Sequence, residues 1–314
     1  MAKLSDHRFE YLEARNLRQA VALAERYGDQ ARIVAGGTDF LVRWRQGVWR
    51  PQYVIAIGNI RGLSRVGFSP RNGLRLGALV TVRTLETHPV IRQRYPALSA
   101  AASAFAGVQV RNLATVGGNV CNASPGGDTL PALLVFDARC RVVGPDGERW
   151  VPLDQFFTGP GGTVLQRGEV LAELRLPPPP VRGAGSLYVK HSPRGAMDIA
   201  TVGVASVVSL QDRGRVCQDV RIALGAVAPT PIRAYAAEEL LRGQAITDEL
   251  LIEVARKARR CASPIDDVRG SASHRSAMVG ALAQRTLERA ISTARTGPVS
   301  FEQQRRLAVE AVVC

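Results

Sequence analysis

The sequence predicts an α+β protein in which two small N-terminal subdomains precede a C-terminal domain of sheet and helices. Three observations carry this prediction. Within the first 60 residues, short apolar runs flank one helical segment, and one of them ends on Ala35-Gly36-Gly37-Thr38-Asp39. A second glycine pair, in Thr115-Val116-Gly117-Gly118-Asn119, lies in a longer region of short strands around an alanine-rich stretch. Four consecutive prolines, Pro177 to Pro180, then form a stiff extended break before a final region of longer strands and helices.

In chain order, Asn16 is placed to cap a helix through Tyr27. Leu17, Ala20, Val21 and Ala24 recur at helical spacing, and Gly28 supplies the stop. Ala31 to Ala35 reads as a strand feeding the first glycine turn, and Tyr53 to Ile57, after Pro51, reads as another, giving a small β-α-β-like unit. The second region opens with strands around Leu74 to Leu76. Thr84 then marks a helix entry, and a helical stretch covers Ala97 to Ala106. After the second glycine pair, Asp128 precedes Pro131 and the apolar run Ala132 to Phe136, the pattern of a helix N-terminus whose free amides favour an anion. Strands at Cys140 to Val143 and Val170 to Leu176 complete this region.

The last region should hold strands at Ile199 to Leu210 and Val220 to Val227. Its helices are expected at Pro231 to Leu241, Asp248 to Arg260 and Arg275 to Thr293. Thr247 is a suitable cap for the second of these, with Leu250, Leu251, Val254 and Ala258 on one face. The expected divisions are 1–60, 61–180 and 181–295, with a loosely held tail over 296–314.

At 314 residues, 46% hydrophobic and 22% charged, the composition is that of an ordinary globular chain with room for several cores. No window approaches the run of about 18 apolar residues that spans a bilayer, and no secretory leader is visible, so the expected location is the cytoplasm. Cys121, Cys140, Cys217, Cys261 and Cys314 are scattered, without the spacing of a metal, cluster or disulfide framework. The net charge of +14 raises the question of nucleic acid. The basic residues are spread along the whole chain, aromatics make up 5%, and no recognition motif is present, which argues against it. Among the 41 basic residues the lysines are Lys3, Lys190 and Lys257, so the mid-chain Lys190 stands out as a place where a compact ammonium is chosen over a guanidinium. An incidental surface lysine is the plain alternative.

Paired glycines at the end of an apolar strand let bare backbone amides approach an anion closely. Two such turns in one chain suggest two amide cradles for a single diphosphate, although many strand ends turn on Gly-Gly without any ligand.

Joined to a third segment, Lys190-His191-Ser192-Pro193-Arg194-Gly195-Ala196-Met197-Asp198-Ile199-Ala200, the two turns resemble the flavin-binding medium subunits of molybdenum hydroxylases. That class includes carbon monoxide dehydrogenase, xanthine dehydrogenase and hydroxybenzoyl-CoA reductase. The third segment matches the family pattern K-x-x-x-R-x-x-x-D-[IY]-A, and Gly225 to Pro231 and Asp267 to Gly270 resemble its C-terminal domain. The similarity runs from Phe9 to about Arg289.

The resemblance implies a two-subdomain FAD-binding fold of the vanillyl-alcohol oxidase-like (PCMH) type, followed by the flavoprotein C-terminal domain. It implies FAD contacts at Ile33, Val34, Ala35, Gly36, Gly37, Thr38, Asp39 and Phe40, and at Thr115, Val116, Gly117, Gly118 and Asn119. Further contacts are implied at Phe105, Asp128 and Leu171. Asn119 and Asp128 have short polar side chains suited to a diphosphate or ribose hydroxyls; as plain turn-capping residues they would look the same. At the ring, Lys190 would offset the negative charge of reduced flavin, Arg194 would share that work or pair with Asp198, Asp198 would accept from a ring N–H, and Ile199 would lie against the ring face. Some relatives carry tyrosine at the Ile199 position.

The implied role is electron transfer without a catalytic side chain or bound metal. A large molybdenum-cofactor subunit oxidises the substrate, a small [2Fe-2S] subunit relays electrons, and this FAD passes them to an acceptor, in a dimer of heterotrimers. The cysteine-bearing insertion of hydroxybenzoyl-CoA reductases is absent between Cys121 and Pro131, so FAD is the one cofactor expected on this chain. The leading rival is a stand-alone FAD oxidase or dehydrogenase, which needs an acid/base residue over the flavin. Of His7, His88, His191 and His274, His191 alone falls in a motif.

Overall fold

The computed structural model describes residues 8–179, 183–194, 197–297, 302–303 and 306. It opens with a three-stranded parallel sheet in the order β1 (Glu10–Glu13), β3 (Tyr53–Ala56), β2 (Ala31–Val34). Helix α1 (Leu17–Tyr27) crosses between β1 and β2; Asn16 Oδ1 accepts from the Gln19 amide at 2.9 Å, and Gly28 ends the helix at φ +50°. Ala20, Val21 and Ala24 of α1 pack with Ile55 and Ile57 and reach Leu79, Val170 and Ala172 of the second region. β1 was not expected. Its two interior residues stand between glutamates, and parallel pairing with β3 rather than an apolar pattern holds it. After β2 comes the first glycine turn and a short helix, α2 (Phe40–Arg45).

The second sheet is antiparallel, ordered β4 (Val66–Ser69), β5 (Gly73–Gly77), β10 (Val170–Leu176), β6 (Arg139–Gly144), β7 (Gly147–Pro152). Between β5 and β6 the chain forms six short helices, α3 (Val82–Thr87), α4 (Pro89–Arg94), α5 (Pro96–Ser103), α6 (Val108–Leu113), α7 (Val116–Asn122) and α8 (Thr129–Val135). A small hairpin, β8 (Phe157–Gly159) and β9 (Gly162–Thr163), lies beside them. Two expectations are corrected here. The cap of α3 is Thr81, whose Oγ1 accepts from the Thr84 amide at 3.1 Å, so Thr84 lies inside the helix. The alanine-rich helix ends at Ser103, because Ala106 turns into the left-handed region at φ +41°.

The third sheet runs in chain order, β11 (Ala184–His191), β12 (Val202–Gln211), β13 (Val216–Gly225) and β14 (Ile232–Arg233), all antiparallel. Helices α9 (Tyr235–Leu241), α10 (Asp248–Cys261) and α11 (Ala272–Thr296) cover one face. Thr247 caps α10, and Leu251, Val254 and Ala258 are buried on its inner side. α11 lies so close to β11 that a Cβ at Gly185 would sit 2.0 Å from the Ala290 carbonyl oxygen. The other face meets α5 and α8, so Tyr188, Ala205, Val207 and Ala223 join the core of the second sheet while Leu187, Val189, Val204 and Leu224 join that of the third. With both faces covered, β12 is an almost unbroken apolar run rather than an alternating one. β11 was not expected, and β12 starts at Val202 rather than Ile199. β13 spans Val216–Gly225, four residues earlier than expected at its start, and Pro231 precedes β14 instead of opening a helix. Pro180 and most of the expected tail lie outside the described residues. Among the described residues no helix is long and apolar enough to cross a membrane.

Candidate cofactor-binding site

A cleft of about 560 Å³ opens between the parallel sheet and the helices of the second region. Ile33 to Phe40 form one wall, Phe105, Thr115, Gly117, Gly118 and Asn119 the other, and Leu171 of β10 lies at its base, where the β6–β10 register shifts. Segments far apart in the chain are thus brought to one place.

The first glycine turn is an open row of donors. Among the described residues, the amides of Gly36, Gly37, Thr38, Asp39 and Phe40 donate to no protein acceptor. Gly37 has φ +72°, which lets successive N–H groups converge as they do in anion-binding nests. A Cβ at Gly36 would stand 1.8 Å from the Leu113 carbonyl oxygen, so glycine is required for the turn to lie against α6. Asp39 closes the turn; its Oδ1 accepts from Asn122 Nδ2 at 3.1 Å, which ties α2 to α7. Burial raises the Asp39 carboxyl above its ordinary value, against the opposing pull of Arg43 and Asn122.

The second glycine pair is built differently, and the expectation of a second free amide cradle is corrected. Thr115 is the N-cap of α7, so the pair occupies the first turn of a helix rather than the end of a strand. Its amides are already used: Val116 donates to Val80 O and Gly117 to Ala78 O, both at 2.9 Å, Gly118 to Thr115 Oγ1 at 3.0 Å, and Asn119 to Thr115 O at 2.9 Å. Here the glycines give shape. A Cβ at Gly117 would lie 2.6 Å from Ala78 Cβ, and Gly118 presents a bare Cα to the cleft. The Val116 side chain is buried in the core and does not reach the cleft. The Asn119 side chain is anchored through its Oδ1, which accepts from Thr129 Oγ1 at 2.7 Å.

Lys190 and Asp128 do not line this cleft. They form a buried ion pair of 2.9 Å, with side chains 4% and 7% exposed. Tyr188 Oη donates to the other Asp128 oxygen at 2.9 Å, and Lys190 Nζ also donates to Ala104 O at 3.0 Å. Burial outweighs the attraction of Lys190 and pushes the Asp128 carboxyl up to about 6. The lysine is therefore no incidental surface residue, and its ammonium touches the backbone next to Phe105. Arg194 pairs with Asp198 at 2.6 Å, and this exposed guanidinium holds the Asp198 carboxyl below its ordinary range. Ile199 is 53% exposed and lies beside the loop after α7, where a Cβ at Gly126 would be 2.9 Å from its Cγ2. Gly195 and Ala196 lie outside the described residues.

Several cleft residues were not foreseen. Asn122 Oδ1 is buried with no protein partner, an acceptor that suits a ligand donor. Arg32 and Arg43 both stand over the Trp49 ring, at 5.1 and 4.9 Å from its centroid, along the same wall. Asn122 was legible as part of the polar run after the second glycine pair, whereas the meeting of Arg32 with Trp49 depends on the β2–α2 packing. Among the described residues no group of three or more His, Cys, Asp and Glu side chains could hold a metal ion. The free amide nest, the two glycine surfaces and the unpartnered Asn122 oxygen fit a dinucleotide whose diphosphate sits on backbone amides.

Comparison with known proteins agrees. Residues 7–179 match the FAD binding domain in molybdopterin dehydrogenase, and residues 187–290 match the CO dehydrogenase flavoprotein C-terminal domain. The chain is 33% identical over 265 residues to a xanthine dehydrogenase FAD-binding subunit of Escherichia coli O157:H7, covering 84% of this chain and 90% of that one. It is 34% identical over 286 residues to the carbon monoxide dehydrogenase medium chain of Hydrogenophaga pseudoflava, covering 90% and 97%. In three dimensions it superposes on a chain of that organism's carbon monoxide dehydrogenase, solved in a form lacking the Mo-pyranopterin moiety, with a TM-score of 0.87, 35% identity, and 91% and 98% of the two chains covered. A chain of quinoline 2-oxidoreductase from Pseudomonas putida 86 gives 0.84 at 27% identity, with 92% and 98% covered.

Proposed function

The chain belongs to the FAD-binding medium-subunit family of the molybdenum hydroxylases, and from that premise we propose that it is the electron-transfer subunit of a molybdenum-dependent hydroxylase or dehydrogenase. Electrons reach its FAD from [2Fe-2S] clusters on a small partner subunit and leave to an external acceptor. A large molybdenum-cofactor subunit oxidises the organic substrate, the assembly is a dimer of heterotrimers, and it works in the cytoplasm.

The observation that carries the proposal is the row of free amides from Gly36 to Phe40, in a cleft whose opposite wall includes Gly117 and Gly118. Bound FAD supplies the redox chemistry, exchanging electrons singly or in pairs. The nest holds the diphosphate, Asp39 and Asn122 fix the turn that carries it, and Gly118 leaves room for the cofactor beside α7. Phe105, Asp128, Lys190, Arg194, Asp198 and Ile199 belong to the end of the site that receives the ring, with Lys190 and Asp128 acting from within the wall. Leu171 lines the base of the cleft. The division at 60, 180 and 295 separates two FAD-clasping subdomains and a C-terminal domain.

The test mixes FAD-loaded protein with aldehydes, purines and aromatic thioesters, with and without the polypeptides that co-purify with it. Bleaching of the flavin that needs those partners is the expected result. Bleaching by this chain alone would overturn the relay and favour a stand-alone oxidase.

A further inference from the structure

The cleft wall at Phe105 is held in an unusual way. Helix α5 ends at Ser103, and the next three residues turn sharply, with Ala106 left-handed at φ +41°. Four successive carbonyls in this turn point at two buried cations. Arg111 Nη1 donates to Ser103 O at 3.2 Å, Phe105 O at 3.0 Å and Ala106 O at 2.6 Å, while Lys190 Nζ donates to the intervening Ala104 O at 3.0 Å. Each cation lies against a buried carboxylate, and Arg111 shares its partner with Arg83, whose Nη1 donates to Glu86 Oε2 at 2.8 Å. Arg111 Nε lies 3.0 Å from Glu86, with side chains 13% and 9% exposed, and Lys190 lies 2.9 Å from Asp128.

Helix ends leave carbonyls without partners, and water is the common remedy. In this turn two cations take that place, and the turn they fix carries Phe105, an aromatic side chain of the cleft wall opposite the amide nest. The helix that bears Arg111 also touches the nest itself, since the Leu113 carbonyl is the group that forbids a side chain at Gly36. The last turn of α6 therefore joins the two walls of the cleft, through the Leu113 carbonyl and through the Arg111 guanidinium two residues before it.

We infer that Arg111, oriented by Glu86, is a positioning residue for the cofactor: it sets Phe105 at the cleft wall in register with the amide nest. Lysine is a poor substitute, because one ammonium cannot both hold its charge beside Glu86 and reach the three carbonyls that Nη1 serves. The inference takes the FAD site as its premise, and wild-type apoprotein titrated with FAD checks that premise separately; wild-type protein that binds no FAD sinks the site itself rather than the role of Arg111.

The experiment is a double-mutant cycle on FAD affinity, read from flavin fluorescence as apoprotein is titrated, with far-UV circular dichroism of each apoprotein as the folding check. Arg111→Lys should weaken FAD binding about tenfold, and Phe105→Ala should also weaken it. If Arg111 acts through Phe105, the double variant should bind no worse than Phe105→Ala alone, because coupled residues are non-additive. Should Arg111→Lys fail to fold, Glu86→Gln, which leaves the three carbonyl bonds in place, enters the same cycle with an expected loss of about threefold. Losses that multiply in the double variant overturn the inference, as does a folded Arg111→Lys that binds FAD like wild type.

Discussion

Replacing Gly37 by alanine isolates the contribution of the amide nest. The nearest atoms to a Cβ there are Leu41 Cδ1 and Val34 Cγ1, both at 3.7 Å, so alanine meets ordinary contacts and no clash. What remains is backbone strain. An L-residue held in the left-handed region is disfavoured by about 1–2 kcal/mol, and Gly37 sits at φ +72°. If the turn relaxes in the apoprotein, that strain must be overcome on binding, and FAD affinity falls by roughly five- to thirtyfold at 1.4 kcal/mol per decade. If the turn stays put, the same amount appears as lost stability, so the two losses together should come to about 1–2 kcal/mol. Gly243 serves as the control: it has φ +79° with nothing within 4 Å of a Cβ and does not line the cleft, so Gly243→Ala should lose stability alone. The assay pairs FAD titration of the apoprotein with urea unfolding. A Gly37→Ala protein that matches wild type in both would refute the reasoning. Gly36→Ala should be far worse, because the added carbon would stand 1.8 Å from a backbone carbonyl oxygen and the turn must retreat.

Gly118→Val should abolish FAD retention by filling the cleft and should also disturb the Thr115 cap, whose Oγ1 would lie 2.8 Å from the new Cβ; the ratio of flavin absorbance to protein in purified samples checks this, and normal FAD content in a folded variant would show that α7 does not touch the cofactor. Arg233→Ala should destabilise by about 3 kcal/mol in urea unfolding, the lower end for breaking a buried pair, since Glu238, 1% exposed, loses a two-point contact of 2.7 Å yet keeps the Ile222 amide. Asp128 gives a pH signature. Its folded carboxyl is pushed up to about 6 from 3.8, so between those values the folded chain holds a proton that the unfolded chain has released. Its contribution to stability therefore falls as pH rises through that window and is level above it. The stability of wild type minus that of Asp128→Asn, measured as apoproteins, should shrink from pH 4 to pH 6; a difference that grows with pH would contradict the burial argument.

Features set by neighbours in the chain were legible. Asn16 and Gly28 bound α1, β10 runs from Val170 to Leu176 as expected, and Thr247 starts α10. The same holds for the first glycine turn. The second is not legible as a helix because Thr-Val-Gly-Gly-Asn carries two poor helix formers, and the first of them, Gly117, is required by the approach of Ala78, a residue far back in the chain. The pairing of Lys190 with Asp128 across 62 positions and the grip of Arg111 on the end of α5 are likewise products of packing, invisible to periodicity. β1 and β11 were missed for a related reason: each is defined by the strand it pairs with.

β11 and β12 divide their side chains between two cores: Tyr188, Ala205 and Val207 face the helices of the second region, and Leu187, Val189 and Val204 face α11 and its neighbours. The two segments that match separate family domains consequently share one wall. Cutting the chain at the proline stretch would strip buried side chains from both halves at once, so neither fragment should survive on its own, while the two expressed together should reassemble. For the same reason, heat should melt the third sheet and the core of the second in a single calorimetric transition.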